Sequence, residues 1–451
     1  GTRTSRPSRA RAAPSDSTAK TWSVVAPRAG PDETMGERSH GAGARGGTMG
    51  SVEGERARRS WVRTLTAVYG PTVLASIGFG AVIPLIAIQA RALGASVGVA
   101  AFITALTGIA QAIGDLPAGF VTDRIGEKYS IVLACLVDAV MMAVVFASHS
   151  LVLLALAVLC HGLTGSVFSL ARQTYLTERI PLSWRARAMS TLGGVMRVGW
   201  FIGPLAAAAI INRWSLPAAF GFAAGMSLVA AVVTFTMPDL PGEEHGLAAI
   251  RQRSRGDHAR TLSVLRANRR VLLTLGTGCL GLMLIRAVRQ TIIPLWCEAH
   301  GIPAATTSLI YSMSMGCDVL LFFPGGLIMD RLGRRWVTLP AIATMSAGLL
   351  VLPLTHHAAT IALVAALLGV GNGVSSGIVI TLGADVSPTW GRSQFLAGWR
   401  LFADSGNAVG PLVVSAVAGA AGLPASALTV GVIGLVGTWW LSRYVPRRTD
   451  G

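Results

Sequence analysis

The sequence predicts an all-α integral membrane protein with twelve transmembrane helices in two pseudo-symmetric six-helix bundles. Three observations carry this prediction: the composition, a set of long apolar runs and an internal repeat. Of the 451 residues, 52% are hydrophobic and only 13% are charged, and the mean hydropathy is +0.58. In soluble domains, about a quarter of all residues are charged. The composition therefore excludes a soluble globule.

Twelve stretches are apolar and long enough to cross a bilayer, which requires roughly 20 residues per helix. They are continuous and rich in Leu, Ala and Gly, so they predict helices and not the alternating strands of a membrane barrel. The predicted spans, numbered 1 to 12 along the chain, are 64–90, 96–119, 129–148, 150–174, 189–211, 217–237, 271–296, 305–328, 337–355, 359–383, 394–418 and 425–443.

An octet that follows predicted span 2 returns after predicted span 8. It reads Gly-Phe-Val-Thr-Asp-Arg-Ile-Gly over 119–126 and Gly-Leu-Ile-Met-Asp-Arg-Leu-Gly over 326–333, an offset of 207 residues. The same offset relates Gly203-Pro204 to Gly410-Pro411. One shift that is shared by separate apolar regions indicates a duplicated unit, and two such units suit a protein that moves a solute between compartments.

The domain organisation follows from these runs. Residues 1–60 are rich in Gly, Arg, Ser, Ala and Pro without hydrophobic periodicity, and they predict a disordered basic N-terminal tail. The two bundles are expected over 61–237 and 271–444. A polar linker over 238–270 joins them, either solvated or in contact with anionic lipid head groups. Residues 445–451 form a short C-terminal tail.

The net charge of +17 does not indicate a nucleic-acid partner, because the basic residues concentrate in the tail and between apolar runs. The connections on one side of the membrane contain most of the Lys and Arg, whereas the other side shows only Arg91 and Arg213. The positive-inside rule then places both termini in the cytoplasm, with the plasma membrane as the expected location.

No cofactor and no metal are expected. The five cysteines fall mostly within apolar runs and lack disulfide or metal-ligand spacing, so they predict buried free thiols. No Gly-x-x-x-x-Gly-Lys-Ser/Thr loop indicates nucleotide-driven pumping, and no nucleophile–base arrangement indicates an enzyme. The partners expected are the lipid bilayer, a small-molecule substrate and protons, and the protein is expected to be a monomer.

The pattern Gly119-x-x-x-Asp123-Arg124-x-Gly126-x-Lys128 resembles the signature loop of the major facilitator superfamily of transporters. The stretch from Gly199 to Gly203-Pro204 resembles the Gly-Pro motif of the antiporter branch, although Val158 stands where that branch usually has an arginine. The resemblance covers about 62–445. It implies secondary transport of a small organic solute by two lobes that rock about a central site.

The resemblance also implies a gate that latches the cytoplasmic side when the protein faces outward. Its predicted ion pairs join Arg124 to Glu178 and Arg331 to Asp385. The alternative is an orientation signal combined with glycines that allow close packing. The residues assigned to this gate are Gly119, Asp123, Arg124, Gly126, Lys128, Glu178, Asp330, Arg331, Gly333, Arg334 and Asp385.

Ionisable side chains within membrane spans are costly, so each is a functional candidate. In the family that the chain resembles, span 2 packs on span 11 and span 5 on span 8. At a rise of about 1.5 Å per residue, the depths then match for Asp115 with Arg400 and nearly match for Arg197 with Asp318. These pairs are expected to form across the lobes when the gate closes. The alternative is permanent pairing within one lobe, as between Arg400 and Asp404 one helical turn apart.

The remaining buried charges leave further alternatives. Arg286 and Arg289 on span 7 suit an anionic substrate, or they pack against Asp318 or Asp404. Asp138 and Arg172, at similar estimated depths, are expected to form a fixed pair, with a role in a site as the alternative. His161 suits a proton carrier or a hydrogen-bonded core residue. The full set of substrate and proton candidates is His161, Arg286, Arg289, Gln290, Asn372 and Asp404.

Export in exchange for protons (antiport) is the first functional expectation, on the strength of the Gly-Pro motif. Uptake together with protons (symport) and facilitated transport are the alternatives. A membrane sensor or scaffold that transports nothing is the hypothesis from a different class.

Overall fold

The computed structural model describes Gly1 and residues 69–180, 182–236, 263–388 and 390–445. All regular secondary structure within these ranges is helical. In the described chain, eleven helices are long and apolar enough to cross a membrane, and a bent pair of shorter helices supplies a twelfth span. The all-α fold with twelve membrane spans is therefore confirmed. The predicted N-terminal tail, except Gly1, and linker residues 238–262 lie outside the described residues.

Spans 1 to 6 form the first lobe. Span 1 consists of Tyr69–Val82 and Leu85–Ala92, which are bent by 41° around Pro84. Proline lacks the N–H that continues a helical ladder, which accounts for the bend. Spans 2 to 6 are Val97–Ile125, Glu127–Ala147, Leu151–Arg179, Leu182–Arg213 and Leu216–Phe235.

Spans 7 to 12 form the second lobe. Span 7 covers Arg269–Ala299 and contains a π-helical stretch at Leu272–Gly276. Span 10 is interrupted by a turn at 375–377, which separates Ala358–Val374 from Ile378–Asp385. The other spans are Ala304–Leu332, Arg335–Leu354, Arg392–Ala421 and Leu423–Tyr444.

Serine caps and glycine turns set several of these boundaries. Ser96 and Ser150 accept hydrogen bonds at the first turns of spans 2 and 4, at 3.3 and 3.4 Å, so they satisfy backbone N–H groups that lack helical partners. Gly126 and Gly333 end spans 2 and 8 with φ values of 81° and 94°. With ψ values of 159° and 166°, they occupy a region that essentially only glycine adopts. The repeated octet thus ends in the same backbone conformation in both copies.

The end of the predicted linker belongs to the second lobe. Residues 263–267 are helical, and Val264 is fully buried against Gly391. Leu265 packs on Gly398 of span 11. Because these two apolar side chains are covered, the structure begins the second lobe at residue 263 and not at 271.

The two lobes pack through spans 2 and 11 and through spans 5 and 8, as the resemblance implies. Ser415 Oγ on span 11 donates a hydrogen bond of 2.8 Å to the Gly98 carbonyl on span 2. Ser312 Oγ on span 8 donates one of 2.7 Å to the Phe201 carbonyl on span 5. Gly108 lets the backbone of span 11 approach at Asn407, where a Cβ atom would collide.

The lobes close on one side of the membrane and diverge on the other. We call the side where Gly126 and Gly333 lie the loop side, and the opposite side the far side. On the far side, Arg91 Nε at the end of span 1 lies 3.1 Å from Glu298 Oε2 at the end of span 7. Asp115 lies about 15 Å inside the loop-side end of span 2 and is nevertheless exposed. The space between the lobes is therefore open toward the loop side.

Candidate functional site

A central cavity of about 410 Å³ separates the two lobes, a size typical of pockets for small organic ligands. Side chains from spans 1, 2, 4 and 5 line it on one face, and side chains from spans 7, 8, 10 and 11 line it on the other. All six substrate and proton candidates, His161, Arg286, Arg289, Gln290, Asn372 and Asp404, lie at its wall. The structure thus brings them together around one space.

Asp318 is the centre of a buried polar network in the second lobe. Its carboxylate is 3.4 Å from Arg197 Nε of span 5 and 3.8 Å from Arg289 Nη2 of span 7. Asn372 and Ser376 of span 10 donate hydrogen bonds to it at 2.5 and 3.3 Å. The structure therefore contains the Arg197–Asp318 pair across the lobes that depth counting predicts. The pair is formed while the loop side is open, contrary to the expectation that it forms only when the gate closes. Two cations and two neutral donors offset the cost of burying this carboxylate.

Arg286 and Arg289 differ in their partners, although both belong to span 7. Arg289 is 4% exposed and also donates to Ser314 Oγ at 3.1 Å. Arg286 instead donates to the Ser375 carbonyl and hydroxyl at 2.5 and 2.8 Å. Packing against Asp318, the alternative to a substrate role, thus applies to Arg289. Among the described residues, no carboxylate lies within ion-pair distance of Arg286.

The predicted bridge between Asp115 and Arg400 is not formed in this structure. Arg400 Nε lies 3.4 Å from Asp404 Oδ2, one turn away on the same helix. The lobes diverge on the loop side, so this local partner is within reach and the opposite lobe is not. Arg400 still acts electrostatically on Asp115 across the cavity. The bridge remains a prediction for a state that is closed on the loop side.

The predicted pair of Asp138 and Arg172 is wrong. His161 Nδ1 lies 2.6 Å from Asp138 Oδ1, and Ser227 Oγ donates to Asp138 Oδ2 at 2.6 Å. The reason is depth: Arg172 lies eleven residues beyond His161 on span 4, which is about 16 Å closer to the loop side. Arg172 instead stacks on the Phe168 ring, at 5.2 Å from its centroid.

The second copy of the signature loop uses a different arginine from the one predicted. Arg334 Nε lies 2.9 Å from Asp385 Oδ2, and Arg334 Nη1 lies 3.8 Å from Asp330 Oδ1. Arg331 is exposed. The predicted Arg331–Asp385 pair is therefore wrong, because Arg334 lies between the Gly333 turn and the first residue of span 9 and reaches both acids from there.

The first copy cannot repeat this arrangement, because Glu127 occupies the position of Arg334. Asp123 and Arg124 are exposed, and the side chain of Glu178 lies outside the described residues. Lys128 is only 6% exposed, and its amine lies 5.6 Å from the centroid of the Phe235 ring. At Gly119 and Gly326, a Cβ atom would meet no atom closer than 3.9 Å. Close packing therefore does not explain these two glycines in this open state.

The Gly-Pro motif is a packing device in both lobes. A Cβ atom on Gly199 or Gly203 of span 5 would collide with span 1, at Ser76 and Ile77. Gly406 and Gly410 of span 11 contact span 7 in the same way. The glycines before Pro204 thus permit contact between helix backbones, and this contact does not distinguish antiport from symport.

Two functional features were missed at the sequence level. Arg91 and Glu298 are 207 residues apart, the offset of the repeat, so they hold equivalent positions in the two lobes. Opposite charges at equivalent span ends could therefore have indicated this ion pair from the sequence. The cavity position of Arg172 was also missed, because the rotation of span 4 about its axis decides it.

These features define a two-lobed membrane protein with a charged cavity at the boundary between its lobes. The chain belongs to the Major Facilitator Superfamily, whose model matches residues 71–315 and 278–451. It is therefore a multi-pass membrane protein of a family of transporters and not of enzymes. Among curated proteins, none matches the sequence.

Similar solved structures support the fold. The nucleoside transporter NupG is 13% identical, with a TM-score of 0.68 over 84% of this chain and 99% of that one. A D-xylose-proton symporter is 14% identical, with a TM-score of 0.66 over 85% and 97%. The partially occluded inward-open xylose transporter XylE from E. coli is 14% identical, with a TM-score of 0.66 over 86% and 99%. At these identities the likeness shows the fold alone.

Proposed function

We propose that this protein is a proton-coupled secondary transporter of a small organic solute that works by alternating access. The cavity carries this proposal, because it lies between two equivalent lobes and is lined by charged side chains from both. A site at that boundary changes the side to which it opens when the lobes rock. The cavity volume of about 410 Å³ suits a solute of metabolite size.

The proton is carried by the His161–Asp138 pair. His161 is 2% exposed and lies at the cavity wall, with its ring 4.3 Å from the Phe79 ring centroid. Histidine is the side chain that most readily exchanges a proton near neutral pH, and His161 Nδ1 lies 2.6 Å from Asp138 Oδ1. A histidine that serves only as a hydrogen-bonded core residue would make the same bond to Asp138. An assay of proton coupling distinguishes this role from that of a proton carrier.

His161→Gln is expected to reduce solute transport driven by a pH gradient at least about tenfold in proteoliposomes. It should leave counterflow of labelled solute without a gradient largely intact, because glutamine keeps a polar group at the site but does not titrate. His149→Gln, at an exposed site before span 4, is the matched control and should behave as wild type. Equal loss of driven transport and counterflow would assign His161 to structure and not to coupling.

Export in exchange for protons is the direction that the resemblance of residues 199–204 to antiporters supports. We place the loop side in the cytoplasm, together with both termini, because Lys and Arg concentrate on that side. A monomer in the plasma membrane is part of the same proposal. An imposed pH gradient tests the direction. Solute movement against the proton flux indicates antiport, and movement with it indicates symport. Counterflow without any response to pH indicates facilitated transport, and no flux of any solute indicates a sensor or scaffold.

The Arg91–Glu298 pair holds the far side closed in this proposal. Arg91→Gln is expected to raise the labelling of a cysteine placed at Ile86 by a membrane-impermeant thiol reagent from the far side, in a cysteine-free background. The loss of a pair that forms only when the far side is closed raises the free energy of that state relative to the state open to the far side. Arg213→Gln, another far-side arginine, is the control. Identical labelling of the two variants would show that the pair does not hold the gate.

A further inference from the structure

The central cavity carries an excess of positive charge. Among the described residues that line it, five are arginines and three are aspartates, a net charge of +2 with His161 neutral. Charge within a membrane protein is costly unless it has a partner. A cavity lined by charge of one sign also attracts solutes of the opposite sign. The lining therefore favours an anionic ligand.

Three of these arginines already have carboxylate partners. Arg197 and Arg289 lie within 3.4 and 3.8 Å of Asp318, and Arg400 lies 3.4 Å from Asp404. Arg400 also interacts electrostatically with Asp115, so these three arginines are balanced by the three aspartates. The excess charge therefore belongs to the other two arginines, one in each lobe.

Arg286 is the unpaired arginine of the second lobe. Within the described chain, the groups in contact with its guanidinium are neutral: the Ser375 carbonyl and hydroxyl, and the Met283 sulfur at 3.6 Å. Its Nε atom is buried without a hydrogen-bond partner. A guanidinium offers five N–H donors. The side chain thus retains donor capacity and a full positive charge at the cavity wall.

Arg172 is the unpaired arginine of the first lobe. It is 4% exposed, and its Nε atom has no hydrogen-bond partner. In the described part of the chain, its guanidinium makes a cation–π contact with the Phe168 ring and no ion pair. A buried cation without a counterion is strongly unfavourable. A ligand that brings a negative charge would remove this penalty.

The depths of the two arginines suggest an order of contact. Arg172 lies about 10 Å from the loop-side end of span 4, whereas Arg286 lies about 25 Å from the loop-side end of span 7, near mid-membrane. A ligand that enters from the loop side would meet Arg172 before it reaches Arg286 at the centre of the cavity.

We propose that the solute is a small organic anion, with a carboxylate or a phosphate as its charged group, and that Arg286 binds this group at the centre of the cavity. Arg172 is the second cation that binds it on the route to the loop side. Both anions match the planar guanidinium through two parallel hydrogen bonds. This inference rests on the proposed transport function and names the substrate class of the same cavity.

Thermal unfolding of the purified full-length protein tests anion binding without transport. Sodium phosphate and sodium succinate are the probes, with sodium chloride of equal ionic strength and glucose as references. We expect both probes to raise the Tm of the wild type, because a ligand that binds the folded state stabilises it. Arg286→Gln should weaken the apparent affinity about tenfold to hundredfold, the loss expected for a charge-assisted hydrogen bond. Arg172→Gln should weaken it less.

Two further variants keep this test decisive. Arg286→Lys retains the charge but not the two-point geometry, so it should fold like the wild type and bind the probes with intermediate affinity. Arg213→Gln removes an exposed far-side arginine and should leave the shifts unchanged. Equal shifts in the wild type and in Arg286→Gln would overturn the assignment of Arg286, and the absence of any shift in the wild type would overturn the anion site.

Flux in proteoliposomes separates failure of this inference from failure of the proposed function. Transport of anions by the wild type and its loss in Arg286→Gln support both. Transport of only neutral or cationic solutes, unchanged in Arg286→Gln, overturns the anion site and leaves the transporter intact. Anion-dependent Tm shifts without flux of any solute would retain the site and contradict transport.

Discussion

Asp318→Ala is expected to abolish transport and to lower the free energy of unfolding by about 3–5 kcal/mol, the cost of breaking a buried ion pair. The substitution leaves Arg289, which is 4% exposed, and Arg197 without their shared carboxylate. It also removes the acceptor of the Asn372 and Ser376 hydrogen bonds. The measurements are denaturant unfolding of the purified protein and solute flux in proteoliposomes.

The matched control for stability is Asp385→Ala, which removes the acid of the partly exposed Arg334 pair at 2.9 Å. Exposed ion pairs contribute about 0–1 kcal/mol, so this change should be small. Asp318→Leu combined with Arg289→Met should recover part of the stability, because it removes the two most buried charges together and leaves only the partly exposed Arg197 without its carboxylate. Equal destabilisation by Asp318→Ala and Asp385→Ala would contradict the central role of Asp318.

Asp115→Arg is expected to abolish transport, because it places two cations at the position where the loop side must close. Arg400 already acts electrostatically on Asp115 in the open state. Closing the lobes would bring two guanidinium groups together at low dielectric, where like charges repel strongly. The measurement is solute counterflow, with the amount of protein in the vesicles held equal.

The exchange of the two residues is the sharper test of this bridge. Asp115→Arg with Arg400→Asp restores opposite charges across the lobes, but the new acid lies one turn from Asp404. We therefore add Asp404→Asn to the exchange and test Asp404→Asn alone as its control. Partial recovery of counterflow is expected. If the exchanged protein is as inactive as Asp115→Arg, the two positions do not meet in the transport cycle.

Features that depend on position along a helix could be predicted from the sequence. The twelve spans followed from the length of the apolar runs. The repeat relates Gly126 to Gly333, and both glycines end their spans in the same backbone conformation. Counting depth along spans 5 and 8 brought Arg197 and Asp318 together, because helical rise is constant. The same count, applied with the wrong depth for Arg172, produced the incorrect pair with Asp138.

Features that depend on rotation about a helix axis, or on the conformational state, could not be predicted in this way. Asn372 and Ser376 both reach Asp318 because of the way span 10 turns at 375–377. The stretch Gly371-Asn372-Gly373 indicates a bend there but not the direction in which it turns the side chains. Arg334 and not Arg331 binds Asp385 because the Gly333 turn redirects the chain. The Asp115–Arg400 bridge depends on which side of the cavity is open. Side-chain partners therefore require coordinates of the state in question.

Distance measurement between spin labels tests alternating access most directly. The residue pairs Tyr129 with Trp336 on the loop side and His149 with His356 on the far side are exposed, and each pair is related by the repeat. Pulsed electron paramagnetic resonance should show two distances for each pair of labels. The state with the shorter loop-side distance should have the longer far-side distance. Conditions that shorten the loop-side distance, such as a change of pH or added succinate, should lengthen the far-side distance. Distances that stay fixed, or that shorten together on both sides, would contradict the rocking of two lobes about the central cavity.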